Sequence, residues 1–187
     1  MTIIYVKLHK IKQIMIRNFE SYIPEIHKSA YVDEQSAVIG NVRIGKDSAM
    51  WPHSVARGDI NPIIIGERTN IQDGSVLHVT HKSDYSKGFS VEIGNDVTIG
   101  HSVIVHACNI SDRVLVGMGS IILDGSSIQS DVMIGAGSLV SPGKILESGY
   151  LYLGSPAKQV RILTAKEKEF LLYSAKGYVD LKNRYLK

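Results

Sequence analysis

His78 and His106 occupy the same position in a six-residue repeat, each directly after an aliphatic residue, Leu77 and Val105. The interval between those aliphatics is 28 residues, and ten of them, SDYSKGFSVE at 83–92, are polar and interrupt the period. Setting these aside leaves 18 residues, three hexapeptides, so the two histidines fall one turn of a stacked coil apart. Adjacent strands lie about 4.7–4.9 Å apart. At that spacing two imidazoles can converge on one metal ion through bonds of about 2.0–2.1 Å. The other reading of such a pair is a surface ladder, or a hydrogen-bonded pair inside an interface. His101 lies two residues past Ile99 and falls on a different face. One chain does not easily bring it to the other two, whereas a neighbouring copy in a closed oligomer can.

The element that must position these residues is written in the repeat itself. Ile110, Val116, Ile122, Ile128, Ile134 and Val140 recur every six residues. Four positions after the first five stand Val114, Ser120, Ser126, Val132 and Ser138, all small or β-branched. The same rule fits Val32, Val38, Ile44 and Met50, then Ile65, Ile71 and Leu77, then Ile93, Ile99 and Val105. One aliphatic in six cannot make a core in a single layer, but stacked coils bury a continuous apolar column. β-Branched residues suit short flat strands, and a helix would need period 3.6. The expected fold is mainly β, a parallel β-helix of triangular coils. It resembles the left-handed β-helix of the hexapeptide-repeat proteins, and the hand is taken from that resemblance.

The ladder ends near Gly143. Thr164 with Glu167 forms a capping-box pattern, and Leu171, Ala175, Tyr178 and Tyr185 follow at helical spacing. The chain therefore divides into an N-terminal extension (1–14), a β-helix (15–153), and a connecting segment with a C-terminal helix (154–187). The formal charge of +3 comes from Lys and Arg dispersed through the repeats, which is not a nucleic-acid footprint. No apolar run approaches membrane-spanning length, and residues 1–14 lack the core and cleavage site of a secretory signal. The single Cys108 excludes an internal disulfide and agrees with a reducing, cytoplasmic location.

Other polar residues gather around the histidines in sequence. Arg57 and Asp59 flank Gly58, either as a structural ion pair at a subunit contact or as a fixed positive charge oriented by a carboxylate. Asp73, two past Ile71, shares the column of His101 one coil earlier. It either fixes the tautomer of that histidine or forms the turn before Gly74. His81, beside the interruption, is a candidate for lining a pocket. His9, His27 and His53 read as solvent or packing residues.

The segments WPHSVARGD, NIQDGSVLH and GHSVIVH, and the later GSPAK, closely resemble the gamma-class carbonic anhydrase family, from about Tyr22 to Tyr185. That resemblance implies a homotrimer with zinc, or iron or cobalt, at each subunit interface. His78 and His106 would come from one chain and His101 from its neighbour. It makes Arg57 and Asp59 the interface ion pair and places Gln72 and Tyr178 as catalytic residues near the metal. It implies a lyase, a carbonate dehydratase, in which metal-bound hydroxide attacks carbon dioxide to give bicarbonate. Two features depart from the family pattern. The interruption offers Asp84 and Glu92 in place of a longer acidic loop with a proton-shuttling glutamate, and Asp180 replaces an asparagine. His81 or buffer is then left to carry protons. Two other readings share the solenoid: a non-catalytic, metal-binding structural trimer, and a hexapeptide acyltransferase using coenzyme A.

Overall fold

A computed structural model describes residues 15–187, and the expected N-terminal extension, residues 1–14, lies outside them. The described chain is a parallel β-helix whose coils have three faces, followed by one helix. The first face stacks the strands Tyr31–Val32, Ala49–Met50, Asn70–Ile71, Thr98–Ile99, Leu115–Val116, Met133–Ile134 and Tyr150–Leu153. The second face includes Val76–His78, Ile104–His106, Ile121–Ile122 and Leu139–Val140. The third includes Val91–Ile93, Asn109–Ile110, Ser127–Ile128 and Ile145–Leu146. In the early coils the strands Ala37–Ile44 and Val55–Ile65 run unbroken from the second face to the third, so those two faces form one twelve-stranded sheet.

The aliphatic of each hexapeptide points inward. On the second face Val38, Ala56, Leu77, Val105, Ile122 and Val140 are wholly buried, and each coil sets its aliphatic on the one below. Burying one such side chain stabilises the fold by about 1.5–3 kcal/mol. The expected serines sit at the corners, where hydroxyls satisfy carbonyls that the turning backbone leaves unpaired. Ser48 Oγ donates to Gly66 O at 2.6 Å, Ser75 Oγ to Gly100 O at 2.8 Å and Ser138 Oγ to Gly135 O at 2.7 Å. Corners also need left-handed backbone, and Arg68, Asp96, Arg113 and Asp131 adopt it. Their side chains pair along the outer edge, Arg68 Nε to Asp96 at 2.7 Å and Arg113 Nε to Asp131 at 2.7 Å.

The interruption of the period is displaced from its expected bounds. Val91 and Glu92 belong to a strand that pairs with Ile63 and Ile64, so the inserted segment is 81–90 rather than 83–92. It folds back as a hairpin closed by the pairs Thr80–Phe89 and Ser83–Ser86. A second, shorter departure lies between Ala56 and Ile65. These core positions are nine residues apart, three more than the repeat, and the register with the Ala37–Ile44 strand shifts there. The excess is the bulge Asp59–Ile60–Asn61.

The segment after the solenoid holds a strand, Lys158–Ile162, that turns back antiparallel against Tyr150–Leu153. The helix α1 (Ala165–Tyr185) follows, with both halves of the Thr164–Glu167 capping box formed. It buries Leu171 and Ala175 against the first face, and Ser174 Oγ lies 3.1 Å from Thr98 Oγ1. Its buried Lys182 donates to Ser29 O at 2.7 Å and Asp47 Oδ1 at 3.0 Å in the first coils.

Two outcomes test this packing. Ile122→Ala empties part of the central column and should cost about 2–5 kcal/mol in chemical denaturation. Ile145→Ala, on an outward position 59% exposed, should stay within about 0.5 kcal/mol. Equal losses would contradict the inward–outward assignment. The Arg113 guanidinium, by hydrogen bond and charge, holds the Asp131 carboxyl below the usual range. The folded chain thus binds this proton less readily than the unfolded one. The stability it contributes is complete above about pH 4 and is lost as pH falls through the lowered folded value. Arg113→Leu should therefore lower stability at pH 7 by up to about 1 kcal/mol, and its melting curve should converge on the wild type in acid.

Candidate metal centre

The strands Val76–His78 and Ile104–His106 pair in parallel with His78 directly against His106, as the coil arithmetic predicts. Leu77 and Val105 take the inward positions, which turns both imidazoles outward on the second face. Their ring centroids are 5.3 Å apart, and His78 Nδ1 lies 3.3 Å from His106 Nε2. Arg57 stands next in the same column, paired with His78 in register.

Carboxylates hold the other ring nitrogens. Asp59 Oδ1 is 3.2 Å from His78 Nε2, and Asp124 Oδ2 is 2.8 Å from His106 Nδ1. The three-residue bulge brings Asp59 to His78, and Arg57 donates to the same carboxylate. Asp124 stands two residues past Ile122, which pairs with Val105, so it falls one residue beyond the position stacked on His106. A neutral imidazole has one N–H. With both N–H groups turned to carboxylates, His78 Nδ1 and His106 Nε2 present lone pairs to each other, an arrangement that invites a cation. Tetrahedral coordination with bonds of about 2.0–2.1 Å places two ligand nitrogens about 3.3–3.4 Å apart, the separation found here. Burial, reinforced by the Arg57 charge, holds the His78 imidazole below its ordinary pKa and so favours the neutral, ligating form. Burial alone would push the Asp59 and Asp124 carboxyls up, but the hydrogen bonds they accept outweigh it and keep both ionised.

His101 occupies the corner between the first and second faces. Its Nδ1 lies 3.0 Å from Asp73 Oδ2, so Asp73 does stand beside it, and Nε2 lies on the opposite side of the ring from that carboxylate. All three histidines thus share one arrangement, in which a carboxylate contacts one ring nitrogen and the opposite nitrogen could bind a metal. Within the chain His101 does not join the pair: among the described residues no three His, Cys, Asp or Glu side chains converge on a metal position. The donor set suits a divalent ion such as zinc, with two ligands preassembled and a third held apart.

The second face carries a further feature. The residues preceding its inward aliphatics, Val55, Val76, Ile104, Ile121 and Leu139, are themselves aliphatic and partly exposed, forming an outward stripe beside the histidines. Of the corresponding third-face positions, Glu25, Arg43, Glu92, Asn109 and Ser127 are polar, while Ile64 and Ile145 are aliphatic.

The remaining expected residues divide. Gln72 is buried, its Nε2 donating to Asn70 Oδ1 at 3.1 Å. Tyr178 packs edge-on against Trp51 at 5.7 Å, and its phenol is raised by burial and by the Asp73 charge. His81 is exposed at the base of the hairpin, and Asp180 is exposed on α1. Buried Cys108 has its thiol pushed up to about 12 by desolvation, so it supplies no thiolate. Neither Asp124 nor Thr80 is among the site residues expected from the sequence. Coil counting points to Asp124, which stands next to the position one coil from His106, but Asp-Gly reads first as a turn. Among the described residues no helix is long and apolar enough to cross a membrane.

No family model matches the chain. Protein YrdA of Escherichia coli is 57% identical over 173 residues, covering 92% of this chain and 94% of that protein. The carbonic anhydrase of Geobacillus kaustophilus is 42% identical over 173 residues, covering 92% and 91%. Gamma carbonic anhydrase 2, mitochondrial, of Arabidopsis thaliana is 38% identical over 158 residues, covering 84% of this chain and 57% of that protein. Among solved structures, a hexapeptide transferase family protein from Anaplasma phagocytophilum superposes with a TM-score of 0.85 at 37% identity, covering 93% of this chain and 99% of that one.

Proposed function

We propose, because the chain belongs to the gamma-class carbonic anhydrase family, that it catalyses the reversible hydration of carbon dioxide to bicarbonate, at zinc sites completed between subunits of a homotrimer. The observation that carries this reading is the in-register pair His78–His106, with both outer nitrogens on carboxylates and both inner nitrogens 3.3 Å apart. His101 of a neighbouring copy supplies the third ligand. The aliphatic stripe beside the pair supports this assembly, because the contact that delivers His101 would also cover those side chains.

Zinc bound there supplies a nucleophile at neutral pH by lowering the pKa of water from 15.7 to about 7. The chain's own residues do the rest. Asp59, Asp124 and Asp73 hold the three ligand tautomers. Arg57, held by Asp59, keeps a fixed positive charge beside the site that favours the anionic product. The raised pKa of Tyr178 keeps its phenol protonated as a hydrogen-bond donor, and the amide of Gln72 is oriented by Asn70, so both can align substrate rather than exchange its protons. One observation favours a second reading, a metal-binding trimer without turnover: Glu92 lies outside the hairpin and pairs on the third face, in register with Asn109, rather than beside the histidines.

Stopped-flow hydration by the zinc-loaded protein should exceed the buffer blank, and rates equal to the blank would remove the enzymatic reading in favour of the structural one. Subunit mixing tests the shared site. His101→Ala and His106→Ala should each bind zinc poorly. Refolding the two together should restore about a quarter of the sites, because each variant supplies what the other lacks across one interface. Failure of the mixture to recover zinc would place all three ligands within one chain.

A further inference from the structure

We propose that the hairpin 81–90 is a strap that sets the orientation of His106, acting through Thr80, Asp124 and Phe89. The inference rests on the reading of His106 as a metal ligand and assigns a positioning role to Thr80 and Phe89, which that reading leaves unused.

Thr80 opens the hairpin and exchanges both backbone hydrogen bonds with Phe89, at 3.1 and 3.0 Å. Its hydroxyl donates to Asp124 Oδ1, while Asp124 Oδ2 accepts from His106 Nδ1 at 2.8 Å. One carboxylate therefore bridges the base of the hairpin and the ring. The other end of the hairpin closes over the same turn. The Phe89 ring lies against Gly125, where a Cβ would meet it at 3.2 Å. Gly125 N in turn donates to Ala107 O at 2.7 Å, next to His106. Asp124 is thus gripped from one side by a hydroxyl and from the other by an aromatic ring on its neighbour.

The carbonyl of Thr80 also accepts from Asn61 Nδ2 at 2.6 Å. Asn61 ends the bulge that carries Asp59 to His78. Thr80 consequently joins both supports, contacting Asp124 behind His106 directly and the bulge behind His78 through Asn61. The bulge and the hairpin, two insertions into the coil, meet at this one residue, and both lead to a histidine carboxylate. The hairpin's contribution to the site is mechanical. His81 and Asp84 are exposed on it, whereas the Thr80 hydroxyl reaches Asp124 and the Phe89 ring, itself 36% exposed, lies over Gly125.

The test uses the full chain and zinc affinity by chelator competition, together with the visible spectrum of the cobalt-substituted protein. Thr80→Val removes the hydroxyl at nearly constant shape, and Asp124→Asn removes the charge. Each should weaken zinc about tenfold or more and shift the cobalt bands. Thr80→Ser should restore both. Phe89→Ala, which alters no hydrogen bond, should weaken zinc in the same direction and serves if Thr80→Val fails to fold. Coupling is reciprocal. Zinc should therefore slow amide exchange at Phe89 in the wild type and leave it unchanged in Thr80→Val. Wild-type affinity and an unshifted cobalt spectrum in Thr80→Val and Phe89→Ala would overturn the strap while leaving the ligand assignment intact. A wild type that binds zinc no better than His106→Ala would overturn the ligand assignment, and the strap with it.

Discussion

In-register parallel stacking is the constraint from which the rest of this molecule follows. Each coil hydrogen-bonds to the one below, and Leu77 over Ala56 and Val105 over Leu77 leave no freedom to slide. A one-residue slip would turn every inward aliphatic of the column outward. Chemistry then organises as columns. Aliphatics stack inward, serines cap the corner carbonyls, and opposite charges alternate down the outer edge. Arg57, His78 and His106 are one more column, on the outward side of the same strands. The metal-centre candidate needs no special backbone; it uses a spacing that the core already enforces.

A perfect repeat would nevertheless support the histidines poorly, since the residues flanking them in the column are set by the same rule. The supports come from where the rule breaks. The bulge at 59–61 bends a carboxylate back over His78, and the hairpin delivers a hydroxyl to the carboxylate behind His106. Both excursions return to register within the coil, as the pairs Ile65–Ile93 and Ile110–Ile93 show. The solenoid tolerates them because a loop thrown out from a corner removes no inward side chain.

Much of this was legible in the residues. Period six gave the coil, and counting 18 gave both the His78–His106 contact and the neighbourhood of Asp73 and His101. The capping box marked the start of α1. What stayed hidden depended on side-chain contacts between unlike elements. The hairpin bounds were misplaced by two residues because Val91 and Glu92 look like loop residues until their pairing with Ile63 and Ile64 is seen. The Asp59–His78 contact depends on a three-residue excess that the repeat pattern only registers as a break. The strand Lys158–Ile162 is exposed throughout and has no buried face to give it a pattern.

The helix runs the length of the stack in the opposite direction. It starts beside the last coils, where Leu163 N donates to Gly149 O, and ends with Lys182 anchored to Ser29 and Asp47 in the first. Its 21 residues span about 31 Å at 1.5 Å each. A solenoid whose coils touch only their neighbours behaves as a one-dimensional chain, and its stability is a sum of local terms, so its ends fray first. Tying the first coil to the last removes that independence. Opening either end must now strip the helix from the first face, and the molecule melts as a single cooperative unit rather than unzipping coil by coil.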